Sequence, residues 1–291
     1  MALDLRPLSL GELLDRTFTL YRSHFVLFVG ISAIPRVCVL AIQLAQTTFS
    51  PATGIFTSVP NTNSPGQFPA FSSAGIAYAV VFGLAAVVVS VLASLVSQGA
   101  TVMAVSELYL GRTTTLSQAF RRVRGHLGTI FGVAVLGGLA VVGGMLLIII
   151  PGIYIACRLA IGVQAAVLED IGPSSALSRS WTLTTDNAGR VFLIYCLYFC
   201  LFYGAVGLVG APFIVGTVLS KGNPDTVRAF TMLTQVATFV VQALVIPFVT
   251  IAMSLFYYDM RVKKEGFDLQ VMMNPLGTVA PAANAPPSMF A

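Results

Sequence analysis

Charge is scarce in this sequence: Asp, Glu, Lys and Arg make up 9% of its 291 residues, against about 25% in soluble domains. That shortfall argues against an ordinary water-soluble domain. Histidine is scarcer still, with only His24 and His126, and the carboxylates are dispersed along the chain. A metal-assisted hydrolase needs clustered carboxylate or imidazole ligands, and no such cluster is visible. Ser, His and Asp never fall in a triad-like grouping, and no glycine-rich phosphate loop follows a strand. The four cysteines, Cys38, Cys157, Cys196 and Cys200, all lie in apolar runs. Cys196 and Cys200 share a helix face at i, i+4, but no His or carboxylate accompanies them. They read as small packing residues rather than half of a metal site. No cleavable signal peptide is expected either, because Asp4, Arg6, Glu12, Asp15, Arg16 and Arg22 interrupt the first turns of sequence. The expectation is a chain with no catalytic residue and no cofactor.

Apolar residues, by contrast, make up 56% of the chain, and the mean hydropathy is +0.88. Six apolar stretches are long enough to cross a bilayer, at about 25–49, 76–104, 129–150, 153–168, 191–219 and 229–257. The third and fourth form a hairpin that bends at Pro151-Gly152. Residues 50–73 carry no charge and are rich in Pro, Ser, Thr and Asn, which marks an outer loop. A second outer connection holds Lys221 and Asp225. The basic residues gather on the opposite side: Arg112, Arg121, Arg122 and Arg124 in one connection, Arg179 and Arg190 in another, and Arg261, Lys263 and Lys264 near the end. The positive-inside rule then places both termini in the cytoplasm. The formal net charge of +5 orients the chain in a membrane; no base-reading pattern points to nucleic acid. The reading is an all-α, multi-pass protein of the cytoplasmic membrane, with one membrane domain over 1–268 and a disordered Pro/Ala-rich tail at 269–291.

Three short segments precede pairs of spans. Ser9-Leu10-Gly11-Glu12 and Thr115-Leu116-Ser117-Gln118 have capping-box form, and each leads into an amphipathic pattern suited to a membrane interface. With Arg16, Arg122 and Arg179 in register, SLGELLDRTFTLYR, TTLSQAFRRVRGHL and GPSSALSRSWTLTT align. Each carries an apolar pair (Leu13-Leu14, Ala119-Phe120, Ala176-Leu177) two residues before its arginine. This predicts three units, about 8–75, 113–168 and 173–258, each a cytoplasmic interfacial helix followed by a transmembrane hairpin. The glycines of the third span include Ala134/Gly138 and Ala140/Gly144 spacings, which suit close helix packing.

Several pieces, LRPLSLGELLDRTFTLYRSHF, IIIPGIYIACRLAIGVQAAVLED with ALSRSWTLT, and LFYYDMRVKKEGFDLQ, resemble one bacterial family over about residues 5–270. It is the membrane domain found beside glycerophosphoryl diester phosphodiesterases and also as free-standing, uncharacterised proteins. The resemblance implies a membrane module; in the two-domain relatives hydrolysis belongs to a separate soluble barrel, for which this chain has neither the histidines nor the length.

Two arginines interrupt the spans. Arg36 follows Pro35 in the first, and Arg158 lies in the short fourth. No carboxylate sits at comparable depth, so together they form a candidate intramembrane site for a phosphate or carboxylate. The alternative is that each bonds to helix-end or Pro-freed carbonyls, or snorkels; Arg158, read as near the outer end of its span, suits snorkelling. Arg16, Arg121, Arg122, Arg124 and Arg179 are candidate contacts to anionic lipid headgroups. Gln43, Gln98, Gln164, Gln235 and Gln242 either line a polar path or tie helices together. Two functions remain open. One is a non-enzymatic, lipid-associated or scaffolding module, with membrane lipids and a membrane-associated enzyme as partners. The other is a small transporter or flippase-like protein for an anionic, phosphate-bearing substrate, which requires Arg36 and Arg158 to face one cavity.

Overall fold

The computed structural model describes residues 9–49, 73–219 and 223–265, which form α-helices and no strand. The leader over 1–8, nearly all of the outer loop at 50–73, Lys221 and the tail at 269–291 lie outside the described residues. The helices are α1 (Leu10–Ser23), α2 (Phe25–Phe49), α3 (Ser73–Tyr109), α4 (Leu116–Val123), α5 (Leu127–Leu147), α6 (Ile149–Leu159), α7 (Gly162–Leu168), α8 (Pro173–Leu183), α9 (Ala188–Leu219) and α10 (Pro224–Glu265), with a single 3-10 turn between α4 and α5. Six stretches are long and apolar enough to cross a membrane: Phe25–Thr48, Val80–Tyr109, Leu116–Leu147, Ile149–Leu168, Ala188–Leu219 and Asp225–Glu265. The chain is therefore compatible with a multi-pass membrane protein.

Several boundaries differ from expectation, each for a physical reason. The hairpin turns at Ile148, whose backbone is extended, and not at Pro151-Gly152. Pro151 sits in the first turn of α6, where a helix has no use for an N–H. Gly152 has a different role. A side chain there would meet the Met145 backbone nitrogen at 2.8 Å, and one on Gly144 would meet the Gly152 Cα at 3.1 Å. These two glycines let the hairpin arms touch. Gly138, by contrast, faces open space, so the Ala134/Gly138 spacing does not mark a contact at its second residue. The fourth span is broken into α6 and α7 at Ala160-Ile161. Helix α3 runs on to Tyr109, and ends where Gly111 takes the positive φ of 73° that favours glycine.

Helices form at all three aligned segments, and their register is repeated. Ser9, Thr115 and Gly172 are the N-caps of α1, α4 and α8, each seven positions before Arg16, Arg122 or Arg179. The Ser9 capping box is made in full: Ser9 N–H donates to Glu12 Oε2 at 2.8 Å, and Glu12 N–H to Ser9 Oγ at 3.3 Å. Thr115 N–H likewise donates to Gln118 Oε1 at 3.1 Å. In every copy the residue three before the arginine and the residue one after it are buried: Leu13 and Thr17, Ala119 and Val123, Ala176 and Ser180. One helical face therefore docks in the same way three times.

The bundle has two unlike ends. At one, large apolar side chains remain exposed, among them Leu84, Leu139, Leu146, Ile150, Leu208 and Val218. A surface of that kind is compatible with lipid around it. At the other end, a core forms around the second half of α10, where every residue from Thr250 to Met260 is buried. Leu13 of α1, Phe28 and Ile31 of α2, Ala104 of α3, Ala119 of α4, Ala165 of α7 and Ala176 of α8 all join it. Tyr109 stacks on Tyr258 at 4.6 Å, and Tyr258 Oη donates to Ser106 Oγ at 3.0 Å. The 42 residues of α10 span about 63 Å, roughly twice the hydrocarbon thickness of a bilayer.

Pro247 lies within helix α10 and cannot donate to the Ala243 carbonyl. Ser32 of α2 takes over that acceptor, donating from Oγ at 2.6 Å. The next carbonyl, Leu244, accepts from Tyr21 Oη of α1 at 2.9 Å. Burial pushes the Tyr21 phenol up to about 12, so this donor keeps its proton throughout the physiological range. Two side chains thus tie α1 and α2 to the α10 backbone one turn before Pro247. Ser32→Ala is expected to strand the Ala243 carbonyl and lower stability by about 1–3 kcal/mol, read as a lower unfolding midpoint in detergent. Gly152→Ala should also destabilise, by about 1–3 kcal/mol, while Gly143→Ala, facing open space, should not.

Candidate anion-binding sites

Arg36 lies in the packed half of α2, 5% exposed. Its Nη1 donates to the Ser32 carbonyl at 2.9 Å and to Ser97 Oγ of α3 at 3.2 Å. The Ser32 carbonyl adjoins the one freed by Pro35, so the guanidinium bonds the backbone beside that site and ties α2 to α3. Thr101 Oγ1 bonds the Ser97 carbonyl at 2.8 Å, which continues the polar seam along α3.

Arg158 is equally buried, at 5% exposed, and is held differently. Its Nη2 donates to Thr185 Oγ1 at 3.0 Å. Its guanidinium carbon stands 4.5 Å from the Trp181 ring centre and 5.7 Å from that of Tyr154, within cation–π range. Its own carbonyl accepts from Ser180 Oγ and Thr184 Oγ1, both at 2.9 Å. The side chain lies against α8 and the turn after it, and does not reach back toward the α5–α6 turn as a snorkel would. The aromatic faces and the Thr185 hydroxyl explain that choice. Arg36 and Arg158 share no hydrogen-bond partner among the described residues. Neither lines the two cavities described below, so the structure does not assemble them into one site.

The five headgroup candidates separate by their partners. Arg122 pairs with Glu107, which Arg112 also approaches at 3.9 Å. Arg179 donates from Nε to Glu169 at 3.0 Å and pairs through Nη2 with Glu265. Burial works against the Arg179 cation, but the hydrogen bonds to Glu169 and Glu265 outweigh it and hold its pKa above the ordinary value. Arg16 is half-buried in α1. Arg121 and Arg124 are exposed and make no ion pair among the described residues. A cavity of about 430 Å³ beside them is lined by Glu107, Arg112, Thr113, Gln118, Arg121 and Arg122. A second, of about 540 Å³, lies over the hydroxyl face of α8, at Ser174, Ser175, Ser178, Arg179 and Thr182.

The intramembrane amides also diverge. Gln235 Nε2 donates to Thr47 Oγ1 at 2.8 Å, tying α10 to α2. Gln46, which sequence reasoning missed, donates to the Phe82 carbonyl of α3 at 2.7 Å. Gln164 is buried, Gln43 and Gln242 are half-buried, and Gln98 faces outward. Cys157 is buried, while Cys38 and Cys200 are exposed.

Sequence reasoning also missed the ionic centre of the packed end. The Asp259 carboxylate is fully inaccessible; Arg190 of α9 reaches it at 3.0 Å and Lys263 at 2.8 Å. Tyr257 Oη donates to Glu169 at 2.6 Å, linking that pair to Arg179. The only sequence signal was a carboxylate set directly after an apolar run, with its partner Arg190 69 positions away. The chain matches no protein family, no curated protein and no solved structure. Asp259→Ala is expected to leave two cations facing an empty place and to cost about 3–5 kcal/mol. Chemical or thermal unfolding in detergent checks this, with Asp225→Ala, in the exposed first turn of α10, as the control expected to cost under about 1 kcal/mol.

Proposed function

We propose that this chain is a non-enzymatic integral protein of the cytoplasmic membrane that associates with anionic lipid and serves as a scaffold for a membrane-associated enzyme. Both termini and helices α1, α4 and α8 lie on the cytoplasmic side in this reading. The observation that carries it is the contrast on α4. Its Ala119 and Val123 are buried against the bundle, while Arg121 and the neighbouring Arg124 stay exposed without a carboxylate partner among the described residues. Unpaired cations on a short helix between two apolar stretches suit a negatively charged headgroup layer. The resemblance to the membrane domain of glycerophosphoryl diester phosphodiesterases supports the same reading. The transporter alternative requires one cavity shared by Arg36 and Arg158, and no observation favours it.

Purified protein in vesicles of phosphatidylglycerol should unfold at a higher temperature than in phosphatidylcholine, and the difference should shrink with added salt. The Arg121→Gln/Arg124→Gln double variant should lose about 2 kcal/mol of this preference, roughly 1 per arginine. Equal stability in the two lipids would contradict the proposal.

A further inference from the structure

Arg158 is buried but not satisfied. Its Nη2 is held by Thr185 Oγ1 at 3.0 Å, and that hydroxyl donates onward to the Trp181 carbonyl at 3.0 Å. Its Nε is inaccessible and has no hydrogen-bond partner. Among the described residues no carboxylate comes within ion-pair distance. A desolvated cation with an unmet N–H is costly, and native structures rarely leave such a donor unanswered. The group that answers it should carry negative charge and an acceptor oxygen.

The surroundings say what kind of molecule brings that oxygen. Ile150, Tyr154 and Arg158 lie at i, i+4 and i+8 on α6, so they share one face. Along it, exposure falls from 77% to 50% to 5%. The face changes from bare aliphatic surface to an aromatic ring to a hidden cation over about 12 Å. Trp181 of α8, 40% exposed, stands perpendicular to Tyr154 at 6.2 Å and closes the cation in. Partly exposed Tyr and Trp rings are characteristic of headgroup depth. Acyl chain, glycerol region and phosphate occur in that same order in a phospholipid.

We infer that Arg158 binds the phosphate of one anionic phospholipid, whose acyl chain lies along Ile150 and Tyr154 and whose glycerol region rests on Trp181. The inference rests on reading the chain as a lipid-associated membrane protein, but it does not depend on the arginines of α4. This lipid is an ordered, single occupant, unlike a diffuse headgroup layer. Nε has no open surface while the Trp181 and Tyr154 rings lie over the guanidinium, so the phosphate oxygen accepts from Nε as these rings turn aside, while Nη2 keeps its bond to Thr185.

Trp181 is the only tryptophan in the chain, so its fluorescence reports this place alone. Delipidated full-length protein in detergent is titrated with phosphatidylglycerol brominated on its acyl chains, with brominated phosphatidylcholine, and with inorganic phosphate. Saturable quenching by the phosphatidylglycerol at about one lipid per chain is expected, with Arg158→Gln weakening it at least about tenfold, the scale of one charge-assisted hydrogen bond. Arg121→Gln/Arg124→Gln should leave it unchanged. If Arg158→Gln does not fold, Arg158→Lys replaces it. That variant keeps the charge but loses the guanidinium fork, and weaker quenching is again expected. Equal quenching by both lipids, or full quenching in the Arg158 variants, would overturn the inference. So would a response to inorganic phosphate alone, which would assign a soluble anion. Loss of quenching in the α4 double variant only would leave the lipid reading standing and remove this site.

Discussion

A carboxylate hidden from water has to be matched by cations, and Asp259 sets that demand at the centre of this bundle. Its side chain has no accessible surface, and Arg190 and Lys263 meet it at 3.0 and 2.8 Å. An unmatched buried charge is strongly unfavourable, so the start of α9 must lie against the far end of α10. The same logic extends outward. Glu169, at the end of α7, holds Arg179 of α8 and accepts from Tyr257 of α10. Glu107, near the end of α3, holds Arg122 of α4. Two of the three repeated arginines are thus fixed by a carboxylate closing the preceding span. The positions beside them, Ala119 and Val123 or Ala176 and Ser180, drop into the core as a consequence.

This ionic and aromatic layer changes how the apolar spans should be understood. At the other end of the molecule, helices expose Leu139, Leu146, Leu208 and Val218. In lipid, apolar contact alone supplies no preference for helix over acyl chain. Specific polar ties do that work: Gln46 to Phe82, Gln235 to Thr47, Arg36 to Ser97, and Ser32 to the carbonyl that Pro247 releases. Each tie joins two of the three helices α2, α3 and α10.

The apolar spans were legible because a membrane writes length and composition directly into sequence. Residues 25–49 were read as they stand in α2. The ends of α3 and α10 were read short, since charge at Glu107 and Asp259 looks like an exit to water when it is in fact neutralised within the bundle. Pro151-Gly152 looked like a turn, yet a proline in a first helical turn costs nothing and the glycine serves a close contact. The arginine register was visible as a weak alignment, and its structural meaning lies in burial at fixed offsets, which letters alone do not show. The candidate anion site was half legible. Arg36 and Arg158 stood out equally in the sequence, but only the fold shows Arg36 strapped to Ser32 and Ser97 while Arg158 keeps an unmet donor. The frame that distinguishes Arg158 comes from Trp181, a residue on a different helix.

The central claim is that anionic lipid is a functional partner of this protein. Native mass spectrometry of the wild-type protein, extracted gently from its membrane and followed by lipid identification, tests it most directly. A population carrying anionic phospholipid, enriched over its share in the source membrane, is expected. Protein that emerges bare, or with lipids in the proportions of the bulk membrane, would contradict it.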